Sequence, residues 1–255
     1  ANFDGITYAK GASVLHQLVA HVGRPQFIAG LQKYFAKHAW GNTTLNDLLV
    51  ELESASGRKL DAWVNTWLQT AGVNTLRPQL EIAGDTYSSV VISQEVPLVP
   101  AGSKELRPHR LAVGLYDISG DSLNLRKSVE LDVVGASTTV AELAGEKVAD
   151  LLLINDRDLS YAKLRFDDRS IATLKKYLGR LNDPLARAVT WAAIWDMHRD
   201  AQISSADFIE IALSGLAGEN DDAIVNIVIG QLGTSVEGYA SDANRNKYRE
   251  LLAAG

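Results

Sequence analysis

The sequence predicts a mixed α and β chain in three parts: a helical part, a small antiparallel β-sandwich and a second helical part of paired helices. Three observations predict this order. Apolar residues recur at helical spacing up to about residue 75, occur in short runs between turn residues up to about 158, and then return to helical spacing. The length of 255 residues suggests one to two domains, or three small ones. The predicted segments are 1–75, 76–158 and 159–255.

The first segment is predicted to contain four helices. Asp4 is suited to cap the first helix, because its carboxylate can accept hydrogen bonds from the free amide groups of a first turn. Gly23 separates this helix from the second, Thr43 or Thr44 can cap the third, and the fourth ends near Gly72. Apolar residues share one face in each helix: Val14, Leu15, Leu18 and Val22; Phe27, Ile28, Leu31, Tyr34 and Phe35; Leu45, Leu48, Leu49 and Leu52; Leu60, Trp63, Val64, Trp67 and Leu68.

The second segment has the pattern of short strands. Alternating or continuous apolar residues predict strands at about 87–93, 109–116, 128–134 and 148–154. Turn residues lie between them: Gly84-Asp85, Pro100-Ala101-Gly102 and Ser119-Gly120-Asp121. Several short strands with regular turns favour a small antiparallel sandwich.

The third segment returns to a helical period. Asn182 or Asp183 can cap a helix that has Pro184 at its first position, where a missing N–H group is harmless. Helical faces are predicted near 171–181, 185–195, 205–217, 221–233 and 241–253. Helices of this length, joined by short loops, are typical of an array of antiparallel pairs.

Composition excludes several classes of function. The chain has no Cys, which excludes disulfides and thiolate chemistry and fits a reducing cytoplasm. The net charge is −6 without a dense Lys/Arg run, so nucleic acid is not an expected partner. No apolar run reaches the roughly 18–20 residues that a bilayer requires, so no membrane partner is expected either.

The histidine spacing does not predict a metal site. Zinc on a helix is typically held by His residues four positions apart with a Glu between them. His16 and His21 are five positions apart and have no Glu between them. They would point about 140° away from each other around a helix, so they cannot easily share a metal ion.

One local pattern suggests chemistry, the run Tyr8-Ala9-Lys10-Gly11-Ala12-Ser13. A phenol is a neutral hydrogen-bond donor at pH 7, with a pKa of about 10, and can stabilise a developing oxyanion. Gly11 would let another element approach the helix closely. A tyrosine on a helix is more often a packing residue, so the pattern alone leaves both roles open.

Stretches in the same order along nearly the whole chain resemble the bacterial aminopeptidase N family. The family carries a Tyr-x-Lys-Gly-Ala motif after its zinc-binding His-Glu-x-x-His, and Tyr8 to Ala12 match that motif. The other matching stretches are Phe27 to Phe35, Gly41 to Leu48, Trp63 to Gly72, Leu152 to Leu164 and Asn182 to Asp200.

The resemblance implies a role for Tyr8 and a source for each segment. The tyrosine that matches Tyr8 hydrogen-bonds the tetrahedral intermediate of peptide hydrolysis, and Phe3 falls where the family places an aromatic residue near the first substrate pocket. Residues 1–75 would be the helical C-terminal part of a thermolysin-like catalytic domain, 76–158 the β-sandwich, and 159–255 a truncated start of the C-terminal helical domain.

The resemblance also implies that this chain is an internal fragment. The family's zinc ligands lie upstream of the tyrosine, so zinc is expected in the intact enzyme and none in this chain, which should be inactive alone. Peptides are the expected substrates of the intact enzyme. Helices that have lost their packing partners should expose apolar faces, which predicts self-association.

A non-catalytic scaffold that binds proteins through its sandwich and helical array is the alternative. In that case Tyr8 is a packing residue. A His-Glu-x-x-His motif upstream in the parent protein would favour the enzyme, and its absence would favour the scaffold.

Overall fold

The computed structural model describes residues 5–254, which form helices and two small β-sheets, so the predicted mixed class is confirmed. Asp4, the predicted first cap, lies outside the described residues. The described chain enters its first helix through a π-helical turn, Ile6–Lys10. The helices of the first part are α1 Gly11–Val22, α2 Arg24–Lys37, α3 Leu45–Ser56 and α4 Asp61–Leu68.

The start of α3 shows why this stretch becomes helical where it does. The Thr44 side chain caps the helix, and the Asp47 carboxylate accepts a hydrogen bond of 2.7 Å from the Thr44 amide. Each residue therefore satisfies an amide that the helix leaves without a partner. The helix ends at Gly57, whose φ of 71° suits a residue without a side chain.

Within residues 5–254, seven strands form two sheets. They are β1 Thr75–Ala83, β2 Thr86–Glu95, β3 His109–Ser119, β4 Ser122–Val133, β5 Ser137–Thr139, β6 Leu151–Ile154 and β7 Lys163–Leu164. One sheet has the order β5-β2-β1-β7 and the other has the order β4-β3-β6.

The prediction of a purely antiparallel sandwich was wrong at one edge. β7 pairs with β1 in parallel, with Thr75 opposite Lys163 and Leu76 opposite Leu164. Strand pairing therefore continues past residue 158, where the sandwich segment is predicted to end. Because β7 has only two residues, the rest of β1 is an edge strand on that side. Pro78 lies in this edge part of β1, where its missing N–H group leaves no ladder hydrogen bond unmade.

As far as the structure describes it, to residue 254, the last part contains five α-helices: α5 Asp168–Tyr177, α6 Pro184–Arg199, α7 Ser205–Leu216, α8 Asp222–Thr234 and α9 Asp242–Ala254. Asp183 caps α6 by accepting hydrogen bonds from the amides of Leu185 and Ala186, and Pro184 occupies the first position, as predicted. Among the helices of residues 5–254, none is long and apolar enough to cross a membrane.

The described residues bury two apolar cores. A small core lies between α1, α3 and α4, and includes Val14, Leu52 and Trp63. A larger core is shared by both sheets and helices α5–α9, and includes residues such as Leu152 and Phe208. The sheets and the last five helices therefore form one packed unit, which we call the body.

Arg107 joins the first four helices to the body. Its guanidinium is buried and donates to the Thr66 and Ala71 carbonyls, to Thr70 Oγ1 and to Asn74 Oδ1, at 2.5–3.0 Å. Burial lowers the pKa of Arg107 from its ordinary value. These bonds satisfy carbonyls at the end of α4, where a cation is favoured by the helix dipole, and hold that end against the start of β1.

Candidate active site

Tyr8 lies in the π-helical turn that leads into α1. Single π-turns inside helices are uncommon and frequently occur at functional sites. The Tyr8 side chain is 66% exposed and lines an open cavity of about 580 Å³. The described structure thus places the phenol at a cavity surface rather than within a packed core.

The cavity is a groove between the π-turn, α1, α3 and α4, which we call the Tyr8 groove. Apart from Tyr8, Lys10 and Thr70, its lining is apolar. The lining residues are Tyr8, Lys10, Gly11, Ala12, Val14, Leu15, Leu18, Leu45, Leu48, Leu49, Trp63, Trp67, Leu68 and Thr70. A phenol beside an apolar surface can donate a strong hydrogen bond to a negatively charged oxygen, because little water competes once the surface is covered.

The other residues of the predicted motif divide between described and undescribed parts of the chain. Lys10 and Gly11 line the groove beside Tyr8. Phe3, the predicted substrate-pocket residue, lies outside the described residues, so its position relative to Tyr8 remains a prediction.

The described residues do not fit a zinc site. Within residues 5–254, no group of three or more His, Cys, Asp or Glu side chains is arranged to hold a metal ion. His16 Nδ1 lies 3.1 Å from the Asp158 carbonyl, and His21 Nδ1 lies 3.3 Å from an Arg58 guanidinium nitrogen. These two histidines therefore have separate structural partners and do not share a site.

A buried chain of polar side chains connects α1 to β2, and sequence reasoning missed it. Ser160 Oγ lies 2.5 Å from Gln17 Oε1 and 2.6 Å from His109 Nδ1, while His109 Nε2 lies 3.0 Å from Gln94 Oε1. All four residues are at least 95% buried. We call Gln17, Ser160, His109 and Gln94 the buried relay.

The environment of His109 favours its neutral form. Burial, with a smaller contribution from the nearby Arg107 charge, lowers the pKa of His109 to about 3. The Trp67 ring, which also lines the Tyr8 groove, packs edge-on against the imidazole with ring centroids 5.2 Å apart. A Ser–His pair buried in this way is not exposed to a substrate, so it does not form a hydrolytic nucleophile.

The only sequence signal for the relay is a polar residue on an apolar helix face. Gln17 lies among Val14, Leu18 and Val22, which are the buried residues of α1. Its partner Ser160 is 143 positions away, a contact that no local spacing rule can predict.

Two protein families match this chain. Residues 1–67 match the peptidase family M1 domain, and residues 151–254 match the ERAP1-like C-terminal domain. The first match contains Tyr8 and the Tyr8 groove up to Trp67. The second contains β6, β7 and the last five helices.

Individual proteins give the same result. The chain is 48% identical over 249 residues to aminopeptidase N of Streptomyces lividans, which covers 96% of this chain and 29% of the relative. It is 25% identical over 257 residues to tricorn protease-interacting factor F2 of Thermoplasma acidophilum, covering 99% of this chain and 29% of the relative. The chain therefore spans less than a third of the length of these curated relatives.

A solved structure has the same fold over this length. Legionella pneumophila aminopeptidase A, determined in complex with aspartic acid, superposes with a TM-score of 0.60 at 17% identity. The superposition covers 98% of this chain and 29% of that one. The resemblance to the aminopeptidase N family is confirmed by these matches: the chain belongs to peptidase family M1, of which it carries a segment.

Proposed function

We propose that this chain is part of a zinc-dependent aminopeptidase that removes N-terminal residues from peptides in the cytoplasm. In the intact enzyme, Tyr8 donates a hydrogen bond to the oxyanion of the tetrahedral intermediate. The observation that carries the proposal is the position of Tyr8, on the rim of an apolar groove within the residues that match the M1 domain.

The segments have separate parts in this proposal. Residues 1–75 complete the catalytic domain and supply Tyr8, residues 76–158 form a sandwich domain, and residues 159–255 begin a helical domain. Phe3 contributes to the first substrate pocket. Because the described residues do not fit zinc, the ligands of the metal belong to other parts of the intact enzyme, and this chain alone is inactive.

The Tyr8 groove is, in this proposal, a surface against which another part of the catalytic domain packs. Its exposed leucines support this, since Leu15, Leu45 and Leu68 are each about half exposed. Without that partner, we expect the grooves of two copies to associate.

The test is the substitution Tyr8→Phe in the intact enzyme, which removes the hydroxyl and retains the ring. We expect kcat to fall by roughly 10²–10³-fold, as for loss of one oxyanion-hole donor, with zinc content unchanged. Tyr239→Phe is a matched control, because this exposed tyrosine lies in the last part of the chain, in the turn Ser235–Tyr239 after α8. An unchanged kcat in Tyr8→Phe would refute the catalytic role.

Measurements on the intact parent protein also distinguish the enzyme from the non-catalytic scaffold. If the intact parent neither binds zinc nor hydrolyses a chromogenic aminoacyl substrate, the scaffold is favoured. Measurable zinc-dependent turnover by residues 1–255 alone would instead show that the metal ligands lie within this chain.

A further inference from the structure

The hydrogen bonds at the Gln94 end of the buried relay have a definite direction. Gln94 Nε2 donates to the Gly135 carbonyl at 2.8 Å, which leaves Gln94 Oε1 facing His109 Nε2. That ring nitrogen must therefore carry a hydrogen. In a neutral imidazole the other nitrogen, Nδ1, is then an acceptor, and the hydroxyl of Ser160 is the donor that lies within reach of it.

Ser160 cannot donate to both of its neighbours, because its hydroxyl has one hydrogen. The Tyr161 amide donates to Gln17 Oε1 at 3.2 Å, so it is the oxygen of the Gln17 amide that lies 2.5 Å from Ser160 Oγ. The Ser160 hydroxyl therefore lies between two acceptors, Gln17 Oε1 and His109 Nδ1, and it can donate to one of them at a time.

The relay is placed where it can fix the direction of α1. The apolar residues on the buried face of α1 pack into the small core with α3 and α4, and apolar contact is not directional. Hydrogen bonds between buried groups restrict rotation and sliding, because a misplaced partner leaves a polar group without water or protein to bond. A second contact joins α1 to the loop between β6 and β7 that carries Ser160: His16 Nδ1 lies 3.1 Å from the Asp158 carbonyl.

A small rotation of α1 about Gln17 produces a larger displacement at Tyr8. Nine positions separate the two residues, which corresponds to about 13 Å along a helix. A tilt of about 5° around Gln17 would therefore move the backbone of Tyr8 by about 1 Å. A displacement of about 1 Å at a catalytic group can lower a rate by about 100-fold.

We propose that Gln17, Ser160 and His109 are positioning residues, which hold α1 in the orientation that places the Tyr8 hydroxyl for catalysis. This inference rests on the proposed function of Tyr8. It gives the loop before β7 and strand β3 a part in the reaction at the Tyr8 groove. Both lie outside the residues that match the M1 domain, although the loop lies within the match to the second family.

The chain provides a matched control for the test. His198 Nε2 lies 2.8 Å from Ser235 Oγ, so a second buried Ser–His pair exists between α6 and the turn after α8. Ser235 and Ser160 are both buried, but Ser235 is not connected to α1 by the relay. Substitution of either serine by Ala removes one buried hydroxyl beside a histidine.

The experiment compares Ser160→Ala, Ser160→Thr and Ser235→Ala in the intact enzyme, each with and without Tyr8→Phe. Zinc content, melting temperature, kcat and KM for a chromogenic aminoacyl substrate are measured. We expect Ser160→Ala to lower kcat by roughly 10–100-fold, with a smaller change in KM, because positioning contributes to the chemical step. Ser160→Thr keeps the hydroxyl and should recover most of the rate. Ser235→Ala should lower the melting temperature comparably and leave kcat nearly unchanged.

The Tyr8→Phe background decides the mechanism. If the relay acts through the Tyr8 hydroxyl, Ser160→Ala should lower kcat by less than about 2-fold once that hydroxyl is gone, because coupled residues are not additive. An equal fall in both backgrounds, or an equal fall in Ser235→Ala, would overturn the proposal. If Tyr8→Phe alone leaves kcat unchanged, the proposed function of Tyr8 fails instead, and the relay has no group to position. Should Ser160→Ala not fold, Gln17→Met breaks the relay at its other end and has the same expected outcomes.

Discussion

Helices α1–α4 and the body use similar apolar residues but cover them to different extents. In the body, Phe208 and Ile211 of α7 are completely buried among the neighbouring helices. In the first four helices, Leu15 is 55% exposed and Phe35 is 65% exposed, and the core between these helices is small. The residue proposed for catalysis thus lies in the less covered region, while most of the packing that stabilises the chain lies in the other.

The difference is one of degree, because the body also has an uncovered face. Ile227 and Ile229 of α8 are each more than half exposed. They lie in the last helices, and in the first region only some of the exposed apolar residues, such as Leu15 and Leu68, line the Tyr8 groove, whereas Phe35 does not. The comparison teaches that exposed apolar surface alone does not mark the candidate site. Neither does a tyrosine in a π-turn, since the half-exposed Tyr239 ends the π-turn Ser235–Tyr239 after α8. Tyr8 differs from it because Tyr8 lines an apolar groove within the residues that match the M1 domain.

The largest expected effect on stability comes from the packed core of the body. Phe208→Ala should lower the free energy of unfolding by about 3–5 kcal/mol, because it removes a buried ring that stacks on His198 with centroids 4.8 Å apart. Phe35→Ala in α2 removes the same ring from an exposed position and should lower it by less than about 1 kcal/mol. Urea denaturation of both variants measures the difference. Equal losses would mean that the two regions are covered alike.

Local sequence rules predicted the element boundaries well where local chemistry sets them. Thr44 and Asp183 cap helices as predicted, and a helix was expected at 205–217 where α7 occupies Ser205–Leu216. The π-turn at Tyr8 was not predicted, because a five-residue turn has the same residue pattern as an α-helix. The parallel pairing of β7 and the bond between Gln17 and Ser160 depend on residues far apart in the chain, so no local spacing could indicate them.

The position of Tyr8 illustrates a second limit. Its sequence motif indicated a catalytic role only through resemblance to a family, since the chemistry of a helical tyrosine is ambiguous. The structure adds the groove and the relay that connects α1 to the body. Neither feature could be deduced from the motif, because both are built from residues of several elements.

The free energy of unfolding should fall in acid because of His109, a member of the buried relay that connects α1 to the body. Because the pKa of His109 is lowered to about 3 by burial and by Arg107, the folded chain binds fewer protons than the unfolded chain between pH 6.5 and 3. The contribution of neutral His109 to the free energy of unfolding is therefore complete above pH 6.5, and it is lost as the pH falls from 6.5 towards 3. The slope from this residue is at most about 1.4 kcal/mol per pH unit.

His109→Gln removes this titration and gives the measurement. Its free energy of unfolding should be lower than that of the unmodified chain at pH 8, because the relay is disturbed. From pH 6.5 to pH 5 the gap between the two proteins should narrow by up to about 2 kcal/mol, since only the unmodified chain loses the contribution of His109. If the difference in the free energy of unfolding between the two proteins stays constant over this range, His109 is charged, or accessible to water, in the folded chain.

The smallest effect on folding, and the sharpest on association, is expected at the Tyr8 groove. Leu15→Ser and Leu68→Ser alter exposed positions of its lining and should change the free energy of unfolding by less than about 0.5 kcal/mol each. If the uncovered groove drives self-association of this chain, the double variant should shift the population toward monomer in light scattering, because less apolar surface is available for burial. Leu125→Ser on β4 is the matched control, since Leu125 is similarly exposed and lies outside the groove. If the unmodified chain is a monomer at high concentration, self-association does not occur. If Leu125→Ser shifts the population toward monomer as much as the double variant does, the surface that associates is not the Tyr8 groove.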